Sequence, residues 1–378
     1  MLARTGVSAL LLVAGVFAGR APAEAIPLFA QRYHMTCGAC HSVLPELNAF
    51  GNSFRNHGYR LPKSVPVHGT TGVALRYQME WEQDPAAGSR RWTPGGVLLS
   101  DANIGAIHAF IHYNLGAGSG PSALYLGYLS TYNEHTQSLY RAGYVELPLV
   151  QSPGQRLDDL TGYGYVNTRV GLNDLTLASP RIGFEAERQV GNARFATTLA
   201  FGEYKGAAYG GKPVATGEAT FAAQPEFGLF THLALAPKFE IFEEGLVGDR
   251  SITEVGKSAF TDGYGRLGLG ARTQIGKWDL TAEQWYGRDE DADGAGTVVG
   301  SSGGFFRAKY YPTPHAYLAA RYDAAANQTA GRDLIVYGGA QVTRHARAIL
   351  EYRHYLNQPS RDTLGGAVTF GFPWPARL

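Results

Sequence analysis

The phase of the connections limits this chain more than any other feature. From about residue 72 onward, segments of ten or so residues alternate apolar and polar side chains and are separated by turns. From residue 190 the tight turns "GN", "APK", "IGK", "PTP" and "TRH" alternate strictly with longer stretches such as "KGAAYGGKPVATGEATFAAQ" and "DEDADGAGTVVGS". Successive side chains of a strand point to opposite faces, so each such segment has one apolar and one polar face. Short turns at one end and long loops at the other are the pattern of an outer-membrane barrel; a soluble propeller repeats every four strands without that two-sided difference. The fold class read from this is all-β, a transmembrane antiparallel β-barrel of about 16 strands. Those strands are expected at 73–82, 104–115, 122–132, 138–148, 161–170, 180–190, 192–203, 226–236, 239–248, 262–275, 277–288, 302–312, 314–325, 332–343, 345–356 and 363–373. The fourth and fifth of these, 138–148 and 161–170, are the weakest, around "QSPGQRLDDLTGYGYVNTRVG", where the alternation is poor.

The same pattern says which face meets lipid. Phe195, Thr197, Leu199 and Phe201 oppose Arg194, Ala196, Thr198 and Ala200, and Trp278, Leu280 and Ala282 oppose Asp279, Thr281 and Glu283. Met79 falls on the apolar face of its strand, while Glu80, Glu82, His108 and His112 face the lumen. Trp81, Trp285, Tyr310, Tyr311, Tyr352 and Tyr355 lie near strand ends, where aromatic girdles meet lipid headgroups. Beyond residue 25 no apolar run reaches the ~20 residues of a spanning helix, so any membrane insertion is by a closed barrel. A net charge of +1 leaves no basic footprint for a nucleic-acid partner.

Residues 1–25 read as a signal peptide: Arg4 supplies the charged start, "GVSALLLVAGVFAG" the apolar stretch and Ala23–Ala25 the small-residue cleavage site. Residues 26–71 then form a separate unit, ahead of a barrel at 72–378. This unit carries the only two cysteines of the chain, Cys37 and Cys40, with His41 directly after them. In C-x-x-C-H two thiols on one helical turn form thioethers with the vinyl groups of a haem, and the histidine coordinates its iron from one side. Zinc normally takes four ligands and no second cysteine pair exists; a thioredoxin-like site needs a βαβ context that is absent. One covalently attached haem c is the cofactor this motif predicts. Pro45, Leu44, Leu47, Phe50 and Phe54 predict a helix with one apolar face, stopped by Gly58. About 40 residues are too few to enclose a haem, so the barrel must complete the pocket. For the distal iron ligand His57 and His68 are the better candidates and His34 the weaker, with a five-coordinate iron as the alternative.

Residues 25–59, "AIPLFAQRYHMTCGACHSVLPELNAFGNSFRNHGY", resemble the fused outer-membrane monohaem cytochrome–porin family of iron-oxidising bacteria. Ala25, Pro27, Phe29, Ala30, Arg32, Tyr33, Pro45, Leu47, Gly51, Phe54, Gly58 and Tyr59 match its pattern around C-x-x-C-H. Gln31 stands where the pattern has arginine, and Asn52 where a basic residue is common. The resemblance implies an Fe(II):cytochrome c oxidoreductase-like electron-transfer protein of the bacterial outer membrane. Its haem domain would plug the lumen with the N-terminus on the periplasmic side, taking electrons from extracellular Fe(II) and passing them to a periplasmic c-type cytochrome. Acidic loop residues Asp289, Glu290, Asp291 and Asp293 are oxygen donors suited to such a cation, or simply a solvated charge run. Two other functions fit the same residues: a conduit for another extracellular donor or acceptor, and a transport porin whose haem is structural or sensory.

Overall fold

In the computed structural model the described residues are 27–33, 35, 37–43, 46–61, 71–84, 89–115, 123–151, 158–173, 176–205, 218–252, 259–326, 331–343, 346–357 and 361–374. Sixteen antiparallel strands close into one barrel, each paired with its neighbours in sequence. They are β1 Thr71–Asp84, β2 Ser89–Ile104, β3 Ile107–Asn114, β4 Ala123–Asn133, β5 Ser138–Val145, β6 Arg181–Val190, β7 Ala193–Lys205 and β8 Glu218–Ala236. The second half comprises β9 Phe239–Ile252, β10 Phe260–Ile275, β11 Trp278–Asp289, β12 Val299–Thr313, β13 Ala316–Ala326, β14 Gly331–Thr343, β15 Ala346–Tyr355 and β16 Thr363–Trp374. Pairing of β16 with β1, from Leu364↔Gln83 to Trp374↔Val73, seals the seam. Closure leaves no strand edge unpaired, which lipid requires.

The strand count agrees with the sequence reading, but two of its members differ. β2 was not among the expected strands, and it contains Pro94, Gly95 and Gly96. Pro94 opposes Met79 of β1, whereas β3 pairs with β2 only as far as Val97. Pro94 therefore lies beyond the end of the shorter neighbour, where there is no ladder for its missing N–H to interrupt. Conversely, 161–170 is not a strand. It belongs to the connection between β5 and β6, which folds into the lumen with a 3₁₀ turn at Tyr165–Asn167 and an isolated bridge between Val170 and Asn173.

The two faces of the wall are chemically opposite. Outward-pointing Leu129, Phe184, Leu229, Val247, Leu269 and Phe306 are each about half exposed. Inward-pointing charges are buried in pairs, among them Arg181–Glu226 at 3.0 Å, Arg266–Asp289 at 2.8 Å and Arg272–Asp279 at 2.7 Å. Apolar outside and ion-paired inside is the inverse of a water-soluble fold and suits a lipid-spanning barrel. Trp278 stands outside with its ring 4.9 Å from Tyr310, and Trp92 beside Trp81, as a girdle requires. Met79 is on the outer face, as alternation predicts. Trp285 is not a girdle residue: it is 1% exposed, faces the lumen, donates its indole N–H to Glu283 and stacks on Tyr165.

Candidate functional site: an occupied lumen

Two pieces of chain fill the bore. The first is the N-terminal plug, with helices α1 Pro27–Tyr33, α2 Cys37–Cys40 and α3 Ala49–Asn56. Its aromatic side chains form a nest: Phe29 stacks on Tyr59 at 4.5 Å and meets Phe54 edge-on at 5.5 Å, and Tyr33 meets Phe54 at 5.4 Å. The nest continues into the wall through Phe110 and Tyr128, inward residues of β3 and β4. Leu28 lies against Gly72 of β1, and Arg194 of β7 donates to Asn56 at 2.9 Å. These contacts set the plug at the short-turn end, where β1 begins.

Local geometry of the C-x-x-C-H segment rests on two residues outside it. Asn48 caps α3, its Oδ1 accepting the Gly51 N–H at 2.9 Å, while its Nδ2 donates to the carbonyl of Ala39 at 3.0 Å. Its own backbone N–H donates to the Cys40 carbonyl at 2.9 Å. Gly51 packs face-on against that carbonyl; a Cβ there would lie 2.0 Å from the oxygen. The helix thus begins at Ala49 rather than near Pro45, because Asn48 supplies the cap; Leu44 and Pro45 lie outside the described residues. Gly58 ends it as expected, at φ 64°, with its N–H donating to Arg55 O. Tyr59 follows at φ 59°, held there by its stacking on Phe29 and Phe110.

One turn of α2 puts the backbones of Cys37 and Cys40 three residues apart on one helical face. Cys40 is buried in the aromatic nest and free of any disulfide. Burial pushes its thiol up from the ordinary value. His41 is half-buried and opens a two-stranded ribbon, pairing with Leu47. Leu47 and Met35 pack against the same nest; Met35 is a sulfur-bearing neighbour that sequence reasoning passed over. Two cysteines on one helical turn, a histidine directly after them and an apolar aromatic surround of Cys40 are the residue types that a c-type haem takes. His57 closes α3, its Nδ1 2.5 Å from Ser53 O and its ring 4.5 Å from that of Tyr132 of β4. His34 and His68 lie outside the described residues, as do residues 1–26.

The second piece is the 146–180 connection, anchored by acidic wall residues that accept its backbone N–H groups. Glu244 accepts from Val150 at 2.7 Å, Glu351 from Leu160 at 2.8 Å and Asp323 from Gly164 at 3.2 Å, and Asp262 accepts from the Asn173 side-chain amide at 2.7 Å. Asp158 meets Lys309, and Asp159 meets Arg321, whose Nη2 also donates to Thr161 O at 2.8 Å. Tyr163, Tyr165, Val166 and Leu177 pack on Phe230, Trp285 and Phe305. Between connection and wall, at Tyr165, Arg181 and Tyr264, lies a cavity of about 10 Å³, room for one water. Helix α1 of the plug lies against β1, β2 and β16, and Leu160 of the connection lies beside Gly365 of β16.

The acidic loop residues are turned to structural use. Asp289 pairs with Arg266, Asp291 accepts the Gly296 N–H at 2.6 Å, and Asp293 accepts from Ala295 at 3.0 Å and from Thr297. Among the described residues no three His, Cys, Asp or Glu side chains gather to hold a metal ion. His108 and His112 do face inward, and both are buried.

No protein-family model matches the chain, and no curated protein does. Solved structures do. The chain is similar to a loop-deletion mutant of OmpT, an outer membrane protein of Vibrio cholerae, at 12% identity and TM-score 0.59, over 80% of this chain and 99% of that one. It is similar to an anion-selective porin of Comamonas acidovorans at 11% identity and TM-score 0.56, over 80% and 99% of the two chains. OmpF of Salmonella typhi matches at 9% identity and TM-score 0.56, over 80% and 97%. This chain has the closed 16-strand fold of outer-membrane porins. At such identities the likeness covers the barrel architecture, and the share aligned is about that of β1 to β16 in the chain.

Proposed function

We propose that this chain is an electron conduit of the bacterial outer membrane: a porin-type barrel that holds one haem c in its plug, takes electrons from extracellular Fe(II) and delivers them to a periplasmic c-type cytochrome. The observation that carries the reading is the position of the C-x-x-C-H segment inside the bore, in an aromatic nest shared by plug and wall. Cys37 and Cys40 hold the cofactor and His41 ligates its iron; His57, with Nδ1 engaged by Ser53, is the distal candidate. Bound there, the haem supplies a reversible one-electron couple without group transfer. The chain's own contribution is placement. Lipid is crossed by the barrel, the plug sits at the short-turn mouth, which is the periplasmic end in barrels of this type, and the 146–180 connection excludes solute from the rest of the lumen. Only an electron then needs to cross, and the ferric product stays outside.

The porin fold itself favours one rival, a solute channel with a structural haem. The two are separated by purifying the full chain from membranes, oxidising it, adding Fe(II), and recording the reduced c-type spectrum alongside planar-bilayer conductance. Reduction with negligible conductance is expected. Absence of covalent haem, or open-channel conductance comparable to a porin's, refutes the proposal; haem that Fe(II) does not reduce between pH 4 and 7 leaves a conduit for another donor or acceptor.

A further inference from the structure

Arg32 is buried and Arg60 partly buried, and each has a guanidinium nitrogen shut off from water with no hydrogen-bond partner. Arg32, on the wall side of α1, is 3% exposed. Its Nη1 rests against Oδ2 of Asp101 on β2, and the same oxygen lies 3.2 Å from Nε2 of His108 on β3. Nη2 of Arg32 has no hydrogen-bond partner, nor does Nη2 of Arg60, although both atoms are shut off from water. Oδ1 of Asp101 is also unpartnered, so Arg60 does not reach that carboxylate. The Tyr33 hydroxyl donates to the carbonyl of Tyr59 at 3.1 Å, which brings Arg60, the next residue, beside Tyr33 and Arg32; burial depresses the Arg60 guanidinium, with Tyr33 opposing and Arg32 adding to it.

Of the two guanidinium groups Asp101 therefore meets that of Arg32 only, and Nη2 of Arg32 and Nη2 of Arg60 are left without partners at the seam between plug and wall. A guanidinium nitrogen shut off from water without a partner is costly, and an arriving anion would relieve that cost. The site lies beside the aromatic nest that contains Cys40, since Tyr33 belongs to both. If the haem of the proposed function is attached, its only anionic groups are two propionates, on the ring edge away from the thioether-forming vinyls. Guanidinium forks match carboxylates in a bidentate way. We propose that Arg32 and Arg60 form the clamp that receives the haem propionates at the plug–wall seam, with Asp101 orienting Arg32 from the barrel side. This rests on the haem reading above and adds to it a fixed orientation of the ring relative to the wall.

The test uses full-length protein matured with haem, comparing the parent with Arg32→Gln/Arg60→Gln, the Lys/Lys pair and Asp101→Asn. Two readouts are taken: covalent haem per chain, and the reduction potential from pH 5 to pH 8. Parent protein lacking covalent haem defeats the underlying reading and the clamp with it. With haem present, the Gln/Gln variant is expected to keep full covalent stoichiometry, since the cysteines are intact. Its potential should fall relative to the parent and decline with rising pH, as propionates no longer held ionised titrate; the Lys/Lys variant should restore the flat profile. Asp101→Asn should raise the potential, because it leaves the positive charge in excess, and this arm stands if the Gln/Gln variant fails to mature. A Gln/Gln profile superimposable on the parent, or an Asp101→Asn potential equal to the parent's, overturns the clamp while leaving the haem in place.

Discussion

Gly51→Ala tests whether the plug geometry is built around the Cys40 carbonyl. Gly51 has ordinary helical backbone angles, so helix propensity alone predicts that alanine stabilises α3 by about 1 kcal/mol. The structure predicts the opposite. The new Cβ would lie 2.0 Å from Cys40 O and 2.8 Å from its carbon, where ordinary contact begins at 3.4 Å, and both obstacles are backbone. Either α2 or α3 must move by more than an ångström. Such overpacking costs about 1–3 kcal/mol, and the Asn48 N–H···O bond to Cys40 contributes about 1 kcal/mol more when lost. After the propensity gain, roughly 1–3 kcal/mol remains against docking, a 5- to 150-fold change in the fraction of plug released. Limited proteolysis of residues 27–61 in micelles, followed by mass spectrometry, reads this directly. Gly38→Ala is the control, since nothing lies within 4 Å of its added Cβ. Equal cleavage rates for Gly51→Ala, Gly38→Ala and the parent would refute the reasoning.

Three further outcomes follow from the same geometry. Arg321→Met removes the partner of Asp159 and Asp323, all three fully or almost fully buried, and should cost about 3–5 kcal/mol of stability, read as a lower unfolding temperature on heat-modifiability gels. Leu229→Arg on the lipid face should cost about 2–4 kcal/mol and lower the yield of folded barrel, whereas Leu229→Ile should leave it unchanged. Burial raises the Asp158 carboxyl, but Lys309 and Arg307 outweigh it and hold it below the usual carboxylate range. A depressed carboxylate stabilises above its unfolded pKa and loses that contribution only as pH falls through the lower folded value. The Asp158 anchor should therefore hold at pH 5 and be lost only below about pH 4, seen as a step in planar-bilayer conductance that Asp158→Asn abolishes; a parent lacking that step would exclude Asp158 as an anchor.

Much of the architecture is written in local pattern. Alternation assigned Phe195, Leu199 and Phe201 to lipid and Ala196, Thr198 and Asp279 to the lumen, and their burial agrees. The phase of short and long connections placed both ends of the barrel at one mouth, where β1 and β16 pair. Gly58 as the stop of a short helix was legible in the same way. These are properties of neighbours along the chain, and a periodicity of two needs no partner to be read.

Other features were decided by residues far apart in sequence. Pro94 is tolerated in β2 because β3 is short. The glycines of 161–170 look like those of a strand until Glu351 and Asp323, on β15 and β13, accept the backbone N–H groups of Leu160 and Gly164. Trp285 has the position of a girdle residue, yet it faces inward because Glu283 and Tyr165 offer its indole a hydrogen bond and a stacking surface. The contact of Arg32 with Asp101 exists only once α1 lies against β2. Period and turn chemistry are short-range and survive in one dimension, whereas the satisfaction of buried hydrogen bonds and charges is a sum over partners that only closure of the barrel brings together.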